Sequence, residues 1–257
     1  MSDARTSPSP LSEREIKLAL LDYFERKSTL QDGVVINELP VANWSRRADL
    51  AVANGKLQAF EIKSDLDSLR RLDGQIALFA TRFDKVVLVT TSRFITSAVE
   101  RLPPYVEIWE AARKGDEIQL RIVRRGMTRE IKNKRILASY LLKSELASLA
   151  RSSGTEVEQS ASRDELELLV ERLPLTRLKA YVLERLKQRY RKEQSSPLLT
   201  RAERAGLNAS DKRPISRHKN VNKPTQVKSG GRFDAFEKKF GSLPEGMPNS
   251  VIPRLKN

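Results

Sequence analysis

The dipeptide Asn54-Gly55 separates two apolar runs, Arg47 to Ala53 and Lys56 to Ser64. Flanked in this way, Asn-Gly is a strong signal for a tight β-hairpin, so the two runs are constrained to be antiparallel neighbours. The second run contains AFEIKSD, Ala59 to Asp65, in which alternation sends Phe60 and Ile62 to one face and Glu61 and Lys63 to the other. The first contains Asp49 in RRADLAV, a carboxylate inside an apolar run, where an unpaired charge is expensive. Loop length decides whether these charges meet. A two-residue loop pairs Ala53 with Lys56 and sets Asp49 opposite Phe60, on the wrong face. A three-residue loop, Ala53-Asn54-Gly55 with Gly55 left-handed, pairs Val52 with Lys56 and Asp49 with Ala59. The second register is expected. It puts Asp49, Glu61 and Lys63 on one face, with Asp49 and Glu61 diagonal neighbours about 7 to 8 Å apart at the backbone.

Around this hairpin the pattern predicts an α/β chain of order αβββαβ. Ser12-Glu13-Arg14-Glu15 matches a capping box and opens a helix to about residue 27, with Ile16, Leu20, Tyr23 and Phe24 on its apolar stripe. Continued one turn back, the stripe passes through Glu13. Val34 to Leu39 reads as the first strand, Leu66 to about Phe83 as a helix, and Lys85 to Thr90 as a buried strand. Beyond these, Ile95 to Leu102 reads as a helix. Val106 to Glu110 and Ile118 to Val123 read as an edge hairpin turning at Lys114-Gly115-Asp116. A helical region from about 129 to 191 is broken at Ser152-Ser153-Gly154 and at Pro174, and within it Ser162-Arg163-Asp164-Glu165 forms a second capping box.

Composition narrows the chemistry. With 257 residues the chain is long enough for one core with appendages. It has no cysteine, which excludes disulfides, thiolate catalysis and cysteine zinc sites and makes the cytoplasm the expected compartment. No run approaches the roughly 20 apolar residues that cross a bilayer, so a soluble protein with no membrane partner is expected. A net charge of +15 and a pI near 10.1 favour polyanions, with nucleic acid the leading partner. The single histidine, His218, lies in a basic tail, so hydrolysis would have to run on carboxylates.

Two carboxylates and a backbone carbonyl suit Mg²⁺, a hard ion that takes oxygen ligands and keeps several waters, with Mn²⁺ as a substitute. A nearby lysine can orient a metal-bound water or offset charge on phosphate. On Asp49 followed by Glu61-Ile62-Lys63, within an αβββαβ order, the chain resembles the PD-(D/E)XK nuclease superfamily. The run RADLAV…FEIKSDLDSLRRLDGQ…FDKVVLV resembles an uncharacterised bacterial branch of it, over roughly residues 11 to 125. The resemblance implies a restriction-endonuclease-like core in which Asp49, Glu61 and the carbonyl of Ile62 bind the metal and Lys63 serves the attacking water. A glutamate of the first helix completes such sites, and Glu13 is the position that fits. Gln75 in GQIALF resembles the glutamine of a Q-x-x-x-Y motif, with Phe79 in place of the tyrosine.

The expected organisation is a flexible arm (1–11), a nuclease-like domain (12–127), a helical extension (128–194) and a disordered basic tail (195–257). The extension's leucine-rich helices resemble a SAP-like DNA-binding helix-loop-helix. The tail holds 13 Lys/Arg against 5 Asp/Glu, a net of +8, and its polar composition cannot bury a core. Arg46, Arg47, Arg70 and Arg71 flank the proposed site and suit phosphate contacts, as solvated arginines would too. Glu38 could add a metal ligand, although a strand-end glutamate more often faces solvent. The expected activity is Mg²⁺-dependent hydrolysis of DNA phosphodiesters. The alternatives are a DNA-binding adaptor on the same scaffold and an RNA-processing nuclease; the sequence leaves open a homodimer.

Overall fold

The computed structural model describes residues 9–194, except 27–29, 31, 43 and 44. The basic tail and His218 lie outside the described residues. In chain order the elements are α1 (Glu13–Arg26), β1 (Val34–Val41), β2 (Arg46–Ala53), β3 (Leu57–Lys63), α2 (Leu72–Arg82), β4 (Lys85–Thr91), α3 (Ser92–Arg101), β5 (Glu107–Lys114) and β6 (Glu117–Arg124), followed by α4 (Lys134–Ala138), α5 (Lys143–Ser152), α6 (Arg163–Glu171) and α7 (Leu175–Gln194). The first part is the expected αβββαβ order. All six strands form one mixed sheet in sequence order. The pairs β1–β2, β2–β3 and β5–β6 are antiparallel; β3–β4 and β4–β5 are parallel, with α2 and α3 as their crossovers.

Strand alternation gives the sheet two apolar faces. One packs against α1 through Ile16, Leu20 and Phe24, which meet Leu50, Val52, Phe60 and Ile62. Edge-to-face rings tie this layer together, Phe24 on Phe60 at 5.1 Å and Tyr23 on Trp109 at 5.0 Å between centroids. The other face, with Ile36, Ala51, Leu57, Ala59 and Leu88, is covered by α2, α3 and the C-terminal helices. There Phe79 is fully buried and meets Phe83 edge-to-face at 5.5 Å between centroids, so its ring serves packing. No described helix is long and apolar enough to cross a membrane.

Both capping boxes form. Glu15 N–H donates to Ser12 Oγ at 3.3 Å while Ser12 N–H donates to Glu15 Oε2 at 2.9 Å, and Ser162 and Glu165 repeat the exchange. Leu11, at the end of the expected arm, is buried and its N–H donates to Asp65 Oδ2 at 2.8 Å, whereas Ser9 and Pro10 are exposed. Hydrogen bonds from the Ser12 backbone, the Ser12 hydroxyl and Arg113 pull the Glu15 carboxyl from 4.5 to about 2. Because the folded value lies below the ordinary one, this contribution is complete above pH 4.5 and disappears as the pH falls towards 2. Ser12→Ala should cost about 1 kcal/mol at neutral pH by urea denaturation. The advantage of wild type over Glu15→Gln should shrink as the denaturation is repeated at successively lower pH through that window.

Three expectations shift. The helix read from Leu66 starts at Leu72, because Asp67 Oδ2 accepts the Ser64 N–H (2.8 Å) and hydroxyl (2.6 Å) and closes a local turn instead. Residues 129–133 are not helical, and α4 begins after Asn133, whose side chain caps it. The β2–β3 loop has three residues with Gly55 at φ +88°, but they are Asn54-Gly55-Lys56, since Ala53 pairs with Leu57. Asp84 explains that displacement. It holds the N–H of Leu57 with Oδ2 (2.8 Å) and the carbonyl of Leu57 with its own N–H (2.8 Å), so the strand begins at Leu57.

The same aspartate anchors the C-terminal helices. Asp84 Oδ1 accepts the N–H of Ile131 at 3.1 Å and the ammonium of Lys179, on α7, at 2.8 Å. Leu178, Val182 and Leu186 of α7 then join the apolar cluster beneath the sheet.

Candidate active site

The displaced loop brings the charged residues closer than a diagonal pairing would. Continuing the register Leu50 with Phe60 by one step sets Asp49 directly opposite Glu61, on the face away from Phe60. Asp49 Oδ2 accepts the N–H of Ile62 at 2.7 Å. Glu61 is fully buried. Its Oε1 accepts two donors, Lys63 Nζ at 2.6 Å and Gln75 Nε2 at 2.5 Å, and its Oε2 has no hydrogen-bond partner among the described residues. Gln75 Oε1 is likewise buried and unpartnered. From α2, Gln75 thus donates to the carboxylate of Glu61 on β3.

Two buried acids that face each other resist ionising together. Burial first, then the charge of Glu61, pushes the Asp49 carboxyl up to about 7, and burial raises Glu61 as well. Glu13 reaches the group electrostatically: its pKa is raised by burial and by Asp49, and Glu61 responds to its charge. It does not point fully inward as helix phase predicts. Its side chain is half exposed and stands 3.9 Å from Lys17 Nζ. Among the described residues no group of three or more acids is gathered as a ready-made metal cage. Two oxygens here, Glu61 Oε2 and Gln75 Oε1, are buried without a hydrogen-bond partner among the described residues. Such oxygens fit a hard divalent cation held by Asp49 and Glu61, with Ile62 next to Glu61 in the chain.

A cleft of about 310 Å³ opens onto Asp49 and Gln75 and is lined by Arg46, Arg47, Arg71 and Glu38. Arg70 is exposed but does not line it. Glu38 is exposed, as expected, and pairs with the exposed Arg47 at 2.7 Å in the cleft wall. It sits opposite Asp49, between the pairs Asn37–Leu50 and Leu39–Ala48, at φ +50°. A non-glycine residue in that conformation costs about 1–2 kcal/mol, and such strain gathers at functional sites.

The residue that sequence reasoning missed is Lys17. It lies on the buried stripe of α1 between Ile16 and Leu20, 2% exposed, and its charge is felt at Asp49. A lysine four residues after Glu13 reads as an ordinary surface pair; the available signal was that Glu13, Lys17 and Leu20 share one helix face.

A family model described as Bacteriophage P4 protein cII matches residues 7–213. Protein cII of Enterobacteria phage P4 is 34% identical over 258 residues, which covers 95% of this chain and 98% of that protein. The chain belongs to the bacteriophage P4 protein cII family. Every residue of the site, from Glu13 to Gln75, falls inside the span matched by the cII model, as do the C-terminal helices. Among solved structures, a protein of unknown function from Silicibacter pomeroyi is similar at 17% identity and a TM-score of 0.34, over 57% of this chain and 93% of its own.

Proposed function

We propose that this cII-family chain is a Mg²⁺-dependent nuclease that hydrolyses DNA phosphodiesters on a PD-(D/E)XK, restriction-endonuclease-like core. The observation that carries the reading is Glu61: a carboxylate with no exposure, set opposite Asp49, with one oxygen held by Lys63 and Gln75 and the other unpartnered. A fold maintains so costly a group where it has work to do.

In this reading Asp49 and Glu61 hold the metal, with the Ile62 carbonyl and the half-exposed Glu13 nearby. The metal supplies Lewis acidity at the phosphate and a water of lowered pKa. Gln75 fixes the rotamer of Glu61. Lys63 keeps a positive charge beside the carboxylates, where it can meet the charge that develops on the phosphate. Arg46, Arg47 and Arg71 line the cleft and take the flanking phosphates, which positions the strand without reading its sequence. Glu38 holds Arg47 until a phosphate competes for it.

Purified protein should be incubated with supercoiled, linear, branched and single-stranded DNA and with an RNA control, in Mg²⁺ or in chelator. Cleavage of at least one DNA form in Mg²⁺ alone is expected. Cleavage confined to RNA would move the substrate class, and binding without any cleavage would leave a DNA-binding adaptor on the same scaffold.

The basic tail has a separate part in this account. Its net +8 is spread over 195–257, so it neutralises phosphates without contributing catalytic groups. Removing it should weaken DNA binding at moderate salt and flatten the slope of log affinity against log salt. Cleavage at saturating DNA should persist, and its loss, or an unchanged slope, would refute this assignment.

A further inference from the structure

The sheet ends differently on its two sides. At one edge β1 carries Pro40 and Glu38 at φ +50°, and α7 packs against it, all of which guard a strand edge against pairing with another chain. At the other edge β6 runs as EIQLRIVR, with neither proline nor glycine, and among the described residues β5 is its one strand neighbour. Apart from that ladder, no described backbone hydrogen bond involves residues 117–123. The outer row of N–H and C=O groups is open to a further strand.

The side chains of β6 say which strand fits. Ile118, Leu120 and Ile122 are half-buried on the α1 side of the sheet, while Glu117, Gln119 and Arg121 are exposed on the other. Read antiparallel, the exposed triplet is its own complement: a two-fold axis through Gln119 sets Glu117 of each copy against Arg121 of the other, and Ile118 against Leu120. The neighbouring strand extends the match. Lys114 lies opposite Glu117, and Glu110 lies opposite Arg121 and pairs with it at 2.6 Å. A row across the joined strands therefore reads Lys114 and Glu117 of one copy, then Arg121 and Glu110 of the other, with the charge alternating at every step. Other registers lose this. An axis through Leu120 sets Glu117 against Val123, and one through Arg121 sets that arginine against itself.

We propose that β6 is the docking edge for a second copy of this chain, giving a two-fold dimer whose sheets join through β6 in the register centred on Gln119. The inference needs no nuclease chemistry; under that reading it puts two active sites on one particle.

A chain without cysteine makes the register directly testable. Gln119→Cys brings its two copies to about 4.5–5.5 Å between Cα atoms, within reach of a disulfide, whereas Glu117→Cys leaves its copies four residues out of step, more than about 10 Å apart. With a mild oxidant added, Gln119→Cys should cross-link into a covalent dimer at least fivefold more than Glu117→Cys. Sedimentation gives a second readout, at moderate salt to screen the repulsion between two chains of +15. Glu117→Arg and Arg121→Glu should each weaken the dimer about tenfold or more. Mixing the two should restore a particle of twice 29.2 kDa, because both like-charge pairs become opposite ones. A monomeric wild type, cross-linking no greater at 119 than at 117, or a mixture no more dimeric than its components overturns the proposal.

Discussion

Glu61→Gln and Asp49→Asn should each abolish metal-dependent cleavage and leave DNA binding equal to wild type or slightly tighter. Both substitutions keep side-chain shape and remove a negative charge that a divalent cation needs and a phosphate avoids. Glu61→Gln is the more informative. Its Oε1 can still accept from Lys63 and Gln75, so the packing persists, while the unpartnered Oε2 becomes an amide that repels a cation. Lys63→Ala leaves both acids in place and should slow the chemical step at least tenfold, about 1.4 kcal/mol of barrier, with DNA affinity little changed. Glu13→Gln should do less than any of these, since Glu13 is half exposed. Single-turnover cleavage beside filter-binding affinity separates the two effects. Loss of binding in parallel with cleavage would show that Asp49 and Glu61 serve the fold instead.

Asp84→Ala should unfold the protein more readily than any substitution at the site, by about 3–5 kcal/mol, because it strips a buried anion from its partners. Asp84 is fully enclosed and accepts from Leu57, Ile131 and Lys179. Its loss leaves two buried amides without acceptors and Lys179 with Glu130 as its remaining partner, at 3.2 Å. Against the 5–15 kcal/mol typical of a whole domain this is a large fraction. Urea denaturation gives the figure directly. Asp84→Asn keeps the shape and an acceptor oxygen, so it should lie between the two. An Asp84→Ala protein within 1 kcal/mol of wild type would mean that the C-terminal helices are held by their apolar faces alone.

Asp84 also shows where sequence reading stops. The capping boxes at Ser12 and Ser162, the Gly55 turn and the alternation of AFEIKSD are governed by residues within a few positions of one another, and the structure has them as the sequence predicts. The loop register is set from farther off. Turn rules favour Ala53-Asn54-Gly55, but Asp84, 27 residues away, grips Leu57 by both its backbone groups and moves the loop on by one. That same grip turns a diagonal Asp49–Glu61 pair into a facing one. Leucine spacing marks α5 to α7 as helices, whereas their seat on the sheet depends on Lys179 reaching Asp84 across 95 residues. Lys17 was legible as a charged residue but not as a buried one, since periodicity does not give the depth of a stripe; Glu38 was legible as a possible ligand, but not the positive φ that aims it, which no motif announces.

The most direct measurement sets purified wild-type protein and Asp49→Asn side by side on the same DNA, with Mg²⁺ and with chelator, after confirming that both bind it. The account predicts cleavage by wild type in Mg²⁺ only, and none by Asp49→Asn in either condition despite undiminished binding. Equal cleavage by the two proteins, or binding by wild type with no cleavage in Mg²⁺ or Mn²⁺, would contradict it.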